Sequence, residues 1–459
     1  MAGQPRPALR AGDGPFPDAR AGPVTGKGPA LSSRRVLAIA GPIVLSNATI
    51  PLLGAVDTGV IGRMGAAAPI GAVGVGAVIL SALYWIFGFL RMGTSGLVAQ
   101  SRGAGEQAQA GAHLVRALAL GLGAGAVLVA LQGPLLAAAF RLAPASAEVE
   151  ALARQYLGLR IWGAPLTIGM YALTGWMIAA ERTRAILAVQ LLVNVVNIAL
   201  DLWLVLGLGL GVRGVAAATL AAETCGFALA LWLARGALRE GAAAGGLWAR
   251  GALGRMAGVN ADIMIRSVLL QGSFTTFVFL GAGQGDVTLA ANQVLMQFLQ
   301  ITAYALDGFA FAAESLVGQA VGAQRPDAVR RAAVLTGLWG AAGAVLLAGV
   351  FAAAGGAIID LLTSAEAVRQ AARLHLPWLV LAPLVGVAAW MLDGIFIGAT
   401  RTREMRRAMA LSVALYAGAL AVLPRLFGND GLWAALMVLN AARGAAMAAL
   451  YPRVERAAA

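Results

Sequence analysis

The chain of 459 residues has few charges, one cysteine, two histidines and one lysine, and each scarcity excludes something. Only 12% of its residues are charged, against roughly 25% in a soluble domain. With 60% hydrophobic residues and a mean hydropathy of +0.79, a water-soluble globule is excluded. The lone Cys225 rules out a disulfide within the chain and offers no thiol pair for redox or metal chemistry. His113 and His375 have no second ligand at metal spacing, so no cofactor or structural metal is expected and both read as interfacial residues near helix ends. No His–carboxylate pair or serine motif marks a catalytic centre, so the chain does not read as an enzyme.

What the sequence does contain is apolar runs. Stretches centred near 48, 80, 126, 168, 196, 224, 270, 303, 343, 385, 416 and 441 each approach the roughly 20 residues that cross a bilayer. The fold class is therefore an all-α integral membrane protein with about twelve transmembrane helices. The net charge of +13 would suggest nucleic acid in a soluble protein, but here its placement decides. Of the 34 basic residues, 23 fall in the tails and even-numbered loops, seven in the odd loops and four (Arg91, Arg160, Arg266, Arg443) within helices. The positive-inside bias then predicts a multi-pass protein of the plasma (inner) membrane with both termini cytoplasmic and no nucleic-acid partner. Residues 1–33, rich in Pro and Gly, read as a disordered cytoplasmic tail. They are not a cleavable signal, because the first apolar run begins at Val36 and is as long as a span.

The chain repeats itself. Leu173 to Arg184 reads LTGWMIAAERTR, and 219 residues later Leu392 to Arg403 reads LDGIFIGATRTR, identical at seven of twelve positions. At the same offset Leu97 to Ala104 (LVAQSRGA) matches Leu316 to Ala323 (LVGQAVGA) at five of eight. A shared offset points to duplication. It contains six spans, an even number, so the two halves have parallel orientation, a transporter architecture with the solute path between them. The organisation predicted is two pseudo-symmetric six-helix bundles: a lobe at 34–234, a basic cytoplasmic linker at 235–255, a second lobe at 256–452 and a short cytoplasmic tail at 453–459.

A charge at mid-membrane costs about 2.5–3.5 kcal/mol on insertion scales, so each one demands a reason. The acids are Asp57 in the first helix, Asp201 in the fifth, Glu223 in the sixth, Asp262 in the seventh, Asp307 and Glu314 in the eighth and Asp393 in the tenth. Arg266 is the expected partner of Asp307 or Glu314. In the fifth helix Gln190, Asn194, Asn197 and Asp201 recur at spacings of 4, 3 and 4, one helix face. Such a stripe either bonds neighbouring helices or lines a wet cavity, and its terminal carboxylate favours the cavity. Asp57, Asp201 and Thr219 lie five or six residues from the outer ends of their helices, hence at one depth, roughly 8–9 Å in. Three oxygen-bearing side chains at one level could enclose a proton or Na⁺, the alternative being an interhelical hydrogen-bond cluster. In the eighth helix Gln293, Gln297, Gln300, Tyr304, Asp307 and Glu314 share a face suited to a cationic or amphiphilic solute, packing against a neighbouring helix being the alternative. Pro42 and Pro51 both lie in the first helix ahead of Asp57 and favour a kink there.

The runs PIVLSNATIPLLGAVDTGVIGRMG, GTSGLVAQSRGAG, NVVNIALDLWLV with GVRGVAAAT, and ALDGFAFAAESLVGQAVGA resemble the multidrug and toxic compound extrusion (MATE) family, and within it the DinF-like branch, over nearly the whole chain after residue 34. The resemblance implies a V-shaped pair of six-helix lobes that exports drugs or metabolites by antiport with H⁺ or Na⁺. It carries the cation-coupling site of the N-terminal lobe onto Asp57, Asn197, Asp201 and Thr219, and the proline associated with bending onto Pro42. A Na⁺ at Asp57 and Asp201 is one form such coupling could take. The C-terminal-lobe acids that other branches use are not matched clearly by Asp262 or Asp393.

The reading is thus a monomeric secondary active transporter in the lipid bilayer, exporting small amphiphilic, mostly cationic compounds, with Gln190, Asn194, Gln297, Gln300, Tyr304, Asp307 and Glu314 lining the solute cavity. The alternative is a flippase for a lipid-linked or amphiphilic metabolite, which would need more cavity arginines than four. A major-facilitator protein lacks support, because SRGAGEQ stands where its charged loop motif would be.

Overall fold

The computed structural model describes residues 31–459 apart from 64–66 and 143–145, so the tail predicted at 1–33 lies almost wholly outside the described residues. Helix α1 is Ser33–Gly62, opened by the Ser32 side chain accepting from the Arg35 amide. It is followed by α2 (Ala67–Gly103) and α3 (Gln107–Ala130). Helix α4 consists of Ala147–Arg160 and Ala164–Ala179 joined by a tighter turn. Then come α5 (Thr183–Gly207), α6 (Gly211–Ala242), α7 (Arg250–Ala282), α8 (Asp286–Gly322), α9 (Pro326–Leu362) and α10 (Glu366–Gly398). The rod Thr402–Leu450 bends at Gly428, whose φ of 56° suits glycine, and so divides into α11 (402–427) and α12 (429–450). Among the described residues nine helical stretches are long and apolar enough to cross a membrane, the bent rod counting as one. Dividing that rod and adding α1 and α4 gives the twelve crossings that hydropathy predicts.

Helices α1–α6 and α7–α12 form two bundles, each around its own apolar core. Leu157, Ile168, Leu173 and Val215 are fully buried in the first, and Phe277, Phe298, Leu379 and Trp433 in the second. A third cluster joins Val36, Ile39 and Ile43 of α1 to Val317 of α8 and Phe396 of α10, at the end of the molecule that carries Ser33. This is called the near end, and the other the far end. Large apolar side chains such as Val78, Trp203, Phe279 and Leu346 remain exposed on the outside, as a lipid-facing surface requires.

The duplicated motifs are where the lobes meet. Gln100 of α2 donates to the Gly398 carbonyl (3.1 Å) and to Thr400 Oγ1 (3.0 Å) across the lobe boundary. Gln319 of α8 donates to the Ala179 carbonyl (3.2 Å) and to Glu181 Oε1 (2.9 Å) in the other direction. All three pairs, Gln100 and Gln319, Ala179 and Gly398, Glu181 and Thr400, stand at the repeat offset. The backbones approach so closely that a methyl on Gly103 would overlap the Gln319 carbonyl, and one on Gly322 the Gln100 carbonyl. Arg35 adds an ion pair to Glu181 and a 3.2 Å bond to Gln319.

Candidate ion and solute sites

In the N-terminal lobe, α1, α5 and α6 bring Asp57, Asn197, Asp201 and Thr219 together, all buried: Asp57 is 8% exposed, Thr219 3%, and Asn197 and Asp201 0%. With the Asn197 amide oriented by its partners, its nitrogen lies 3.1 Å from Asp57 Oδ1 and 3.2 Å from Asp201 Oδ2, and its oxygen 3.3 Å from Thr219 Oγ1. The two carboxyls thus face each other across that one nitrogen. Thr219 donates to the Val215 carbonyl at 2.9 Å, which fixes its hydroxyl within α6. Asp201 ends the α-helical part of α5, and the following Leu202–Gly207 is wound as a π-turn, a local widening that recurs at functional sites. Among the described residues the buried Asp201 Oδ1 has no hydrogen-bond partner. Two carboxyls sharing one amide donor in a low-dielectric bundle cannot both stay ionised alone, so the cluster has room for one more positive charge.

Beside it Arg160 of α4 grips Glu223 of α6 with two parallel bonds of 2.8 and 2.9 Å, joined by Thr167 at 3.4 Å. The same logic holds elsewhere in the membrane. Arg91 of α2 meets Glu314 of α8 at 3.2 Å, and in the second lobe Arg266 of α7 and Arg443 of α12 both bind Asp393 Oδ2 of α10. Asp262 is held by Arg406 at 2.7 Å and by Thr402 at 3.0 Å. These partnerships correct two expectations. Arg266 pairs with Asp393 rather than with Asp307 or Glu314. Glu314, expected on the cavity wall, is 1% exposed and held by Arg91. Both histidines are covered by protein: His113 Nδ1 lies 3.5 Å from the Arg116 guanidinium, and His375 Nδ1 lies 2.9 Å from Asp430.

The remaining solute residues divide by helix. In α8, Gln293, Gln297 and Gln300 are exposed, while Tyr304 and Asp307 are half-buried. The Tyr304 carbonyl accepts from Asn47 of α1 at 3.1 Å, and among the described residues every hydrogen bond between the lobes lies at that level or nearer the near end. Between the far halves of α1 and α8, among the described residues, no hydrogen bond joins the lobes; the exposed Gln293, Gln297 and Gln300 stand on that half of α8, with Tyr304 and Asp307 nearer its middle. In α5, by contrast, Gln190 donates to Asn194 at 3.0 Å and Asn194 to the Thr49 carbonyl at 3.4 Å, so these amides tie α5 to α1. Pro42 and Pro51 both lie inside α1.

The MatE family profile matches residues 42–203 and again 263–423, one stretch in each lobe. The chain is 41% identical to the DNA damage-inducible protein F of Escherichia coli K12 over 430 residues, 92% of each chain. It is 28% identical over 407 residues to the probable multidrug resistance protein NorM of Pseudomonas aeruginosa, covering 83% of this chain and 80% of that one. Among solved structures, a MATE transporter in the bent conformation superposes with a TM-score of 0.83 at 17% identity, covering 92% of this chain and 96% of that one. The Vibrio cholerae MATE transporter VcmN in its bent form gives 0.82 at 20%, covering 93% and 97%. Identities this low speak for the fold alone, whereas the profile and the E. coli relative speak for descent. The chain belongs to the MATE family of membrane transporters.

Proposed function

We propose that the protein is a secondary active exporter of small amphiphilic compounds, driven by a cation that binds at Asp57, Asn197, Asp201 and Thr219. The observation that carries this is the pair of buried carboxyls meeting across one amide, with Asp201 Oδ1 left without a donor. Of the two candidate ions we take the proton, which two facing carboxyls can share without further ligands. Na⁺ would use the Asn197 oxygen turned to them, the orientation in which the amide nitrogen donates to Thr219 Oγ1 at 3.3 Å. Both termini and the near end are read as cytoplasmic from the arginine distribution, so a cleft between the far halves of the lobes faces the outside. An outer proton then reaches Asp57 and Asp201, lowers their joint negative charge by one, and favours repacking of α1, whose prolines weaken its hydrogen-bond ladder. Substrate leaves the cleft as α1 moves, and proton release inside resets the site. The amides of α8, Tyr304 and Asp307 supply a wall for an amphiphile with a basic group.

The test is transport in reconstituted vesicles with a pH gradient and a Na⁺ gradient imposed separately. The pH gradient is expected to drive export, and Asp57→Asn and Asp201→Asn each to abolish it without loss of insertion. Parental rates in both variants would make the cluster structural, and drive by Na⁺ alone would replace the proton.

A further inference from the structure

Within the membrane, α2, α7, α8, α10 and α12 bring six charged side chains into one neighbourhood: Arg91, Arg266 and Arg443 against Asp307, Glu314 and Asp393. Arg91 and Glu314 neutralise each other at 3.2 Å, with the Arg91 guanidinium 4.1 Å from the Phe311 ring centre. The remaining four do not pair off. Arg266 and Arg443 converge on a single oxygen of Asp393, the second at 3.4 Å, and this triad carries one positive charge in excess. Among the described residues Asp307 has no ion pair; it lies within electrostatic reach of Arg91 first, and then of Glu314, Asp393 and Arg266.

The triad is buried and incompletely bonded. Its side chains are 7%, 10% and 4% exposed for Arg266, Asp393 and Arg443. Among the described residues Arg266 Nε, Arg443 Nε and Asp393 Oδ1 have no hydrogen-bond partner. Orphaned donors on an excess buried cation are where an anion is held. Taken together the six groups sum to zero. A ligand bearing only an amine would meet Asp307 and leave the cluster positive, whereas a ligand bearing an amine and an acid keeps it neutral while meeting both.

We propose that Arg266 and Arg443 form an anion subsite of the solute path, so that substrates carry an acidic group for the triad and a basic group for Asp307. This rests on the exporter reading and adds the substrate class. The ligand class is a zwitterionic amphiphile: an ammonium and a carboxylate, sulfonate or phosphate on one apolar body. The triad holds the acid by charge-assisted N–H donors, Asp307 accepts from the ammonium, and the apolar body lies along the upper cleft.

Three dyes with one scaffold test it: Nε-dansyl-lysine, dansyl-cadaverine, which lacks its carboxylate, and 6-(dansylamino)hexanoate, which lacks its amine. Binding is read by dansyl fluorescence on the purified protein and export in vesicles. The parent is expected to favour the zwitterion by about tenfold over either single-charge dye. Arg443→Gln should shift the preference to dansyl-cadaverine, and Asp307→Asn to the hexanoate, each by about tenfold in the ratio. A parent that prefers dansyl-cadaverine, or variants that weaken all three dyes in equal proportion, overturns the subsite. If Arg443→Gln does not insert, the half-buried Asp307→Asn decides by the same ratio. The binding arm needs no gradient, so failure of export with retained zwitterion preference counts against the exporter reading and not against the subsite.

Discussion

Gln100 and Gln319, separated by one repeat, make the same contact on opposite sides of the lobe boundary: each amide donates to a carbonyl at the end of a helix in the other lobe, at 3.1 and 3.2 Å. The backbones can come so close only because Gly103 and Gly322 stand opposite them. The near-end seal is thus a pseudo-two-fold device in which each half of the duplication closes on the other.

Gly103→Ala and Gly322→Ala should therefore hinder closure at the near end. A methyl forced against a backbone carbonyl costs about 1–3 kcal/mol, because backbone cannot rotate out of the way, and this shifts a two-state equilibrium by roughly tenfold. Spin labels replacing exposed Glu106 and Asp327, in a chain with Cys225 replaced by Ala, read the near-end separation. A longer distance population is expected in either glycine variant. Distances that match the parent in both would show that the seal tolerates the methyl.

Arg160 and Glu223 bear on stability instead. Removing one partner of a buried, doubly bonded ion pair strands the other charge, at about 3–5 kcal/mol. Arg160→Met is thus expected to lower the unfolding temperature in detergent sharply, and Arg160→Met with Glu223→Leu to recover most of the loss. Failure of the double variant to recover would mean that the pair also positions Thr167 or the coupling carboxyls.

Much of this was legible in the sequence, and the reason differs by feature. Twelve crossings follow from apolar length, and the near-end seal was present as LVAQSRGA and LVGQAVGA, although repetition alone does not say that the copies touch. Asp57, Asn197, Asp201 and Thr219 could be grouped because helix rise gives depth. The partners of the arginines were not accessible that way. Arg91 and Glu314 belong to different lobes, and Arg266 meets Asp393 through a packing of α7 on α10 that no periodicity encodes. Counting four intramembrane arginines against seven acids was the available signal that most acids would be neutralised. Gln190 and Asn194 illustrate the limit of a polar stripe: its face was right, yet these two amides bond α5 to itself and to α1.

Glu314 accepts two bonds from Arg91 of the other lobe, at 3.2 and 3.3 Å. Arg91→Met should leave that carboxylate buried and uncompensated, so the near end should open to let water reach it. The same pair of spin labels is expected to report an open population several-fold larger than in the parent. Adding Glu314→Gln removes the buried charge and should restore the closed distance. An unchanged distance in Arg91→Met alone would show that the ion pair does not hold the lobes together.

The final prediction ranks the uncharged members of the coupling cluster. Asn197 donates to two carboxyls, and hydrogen bonds to charged groups contribute about 1.5–3 kcal/mol each, whereas neutral ones contribute about 0.5–1.5. Thr219 can give its one proton either to the Val215 carbonyl at 2.9 Å or to the Asn197 oxygen at 3.3 Å, and it reaches the cluster only through Asn197. Asn197→Leu, of similar size, is therefore expected to cut proton-driven export at least about tenfold, because Asp57 and Asp201 lose the donor that holds them in register. Thr219→Val keeps the shape of the side chain and should cost only about two- to threefold. Initial rates under a fixed pH gradient, normalised to inserted protein, give the comparison. Equal losses would assign Thr219 a direct hold on the ion, and a larger loss for Thr219→Val would move the centre of the site from the amide to α6.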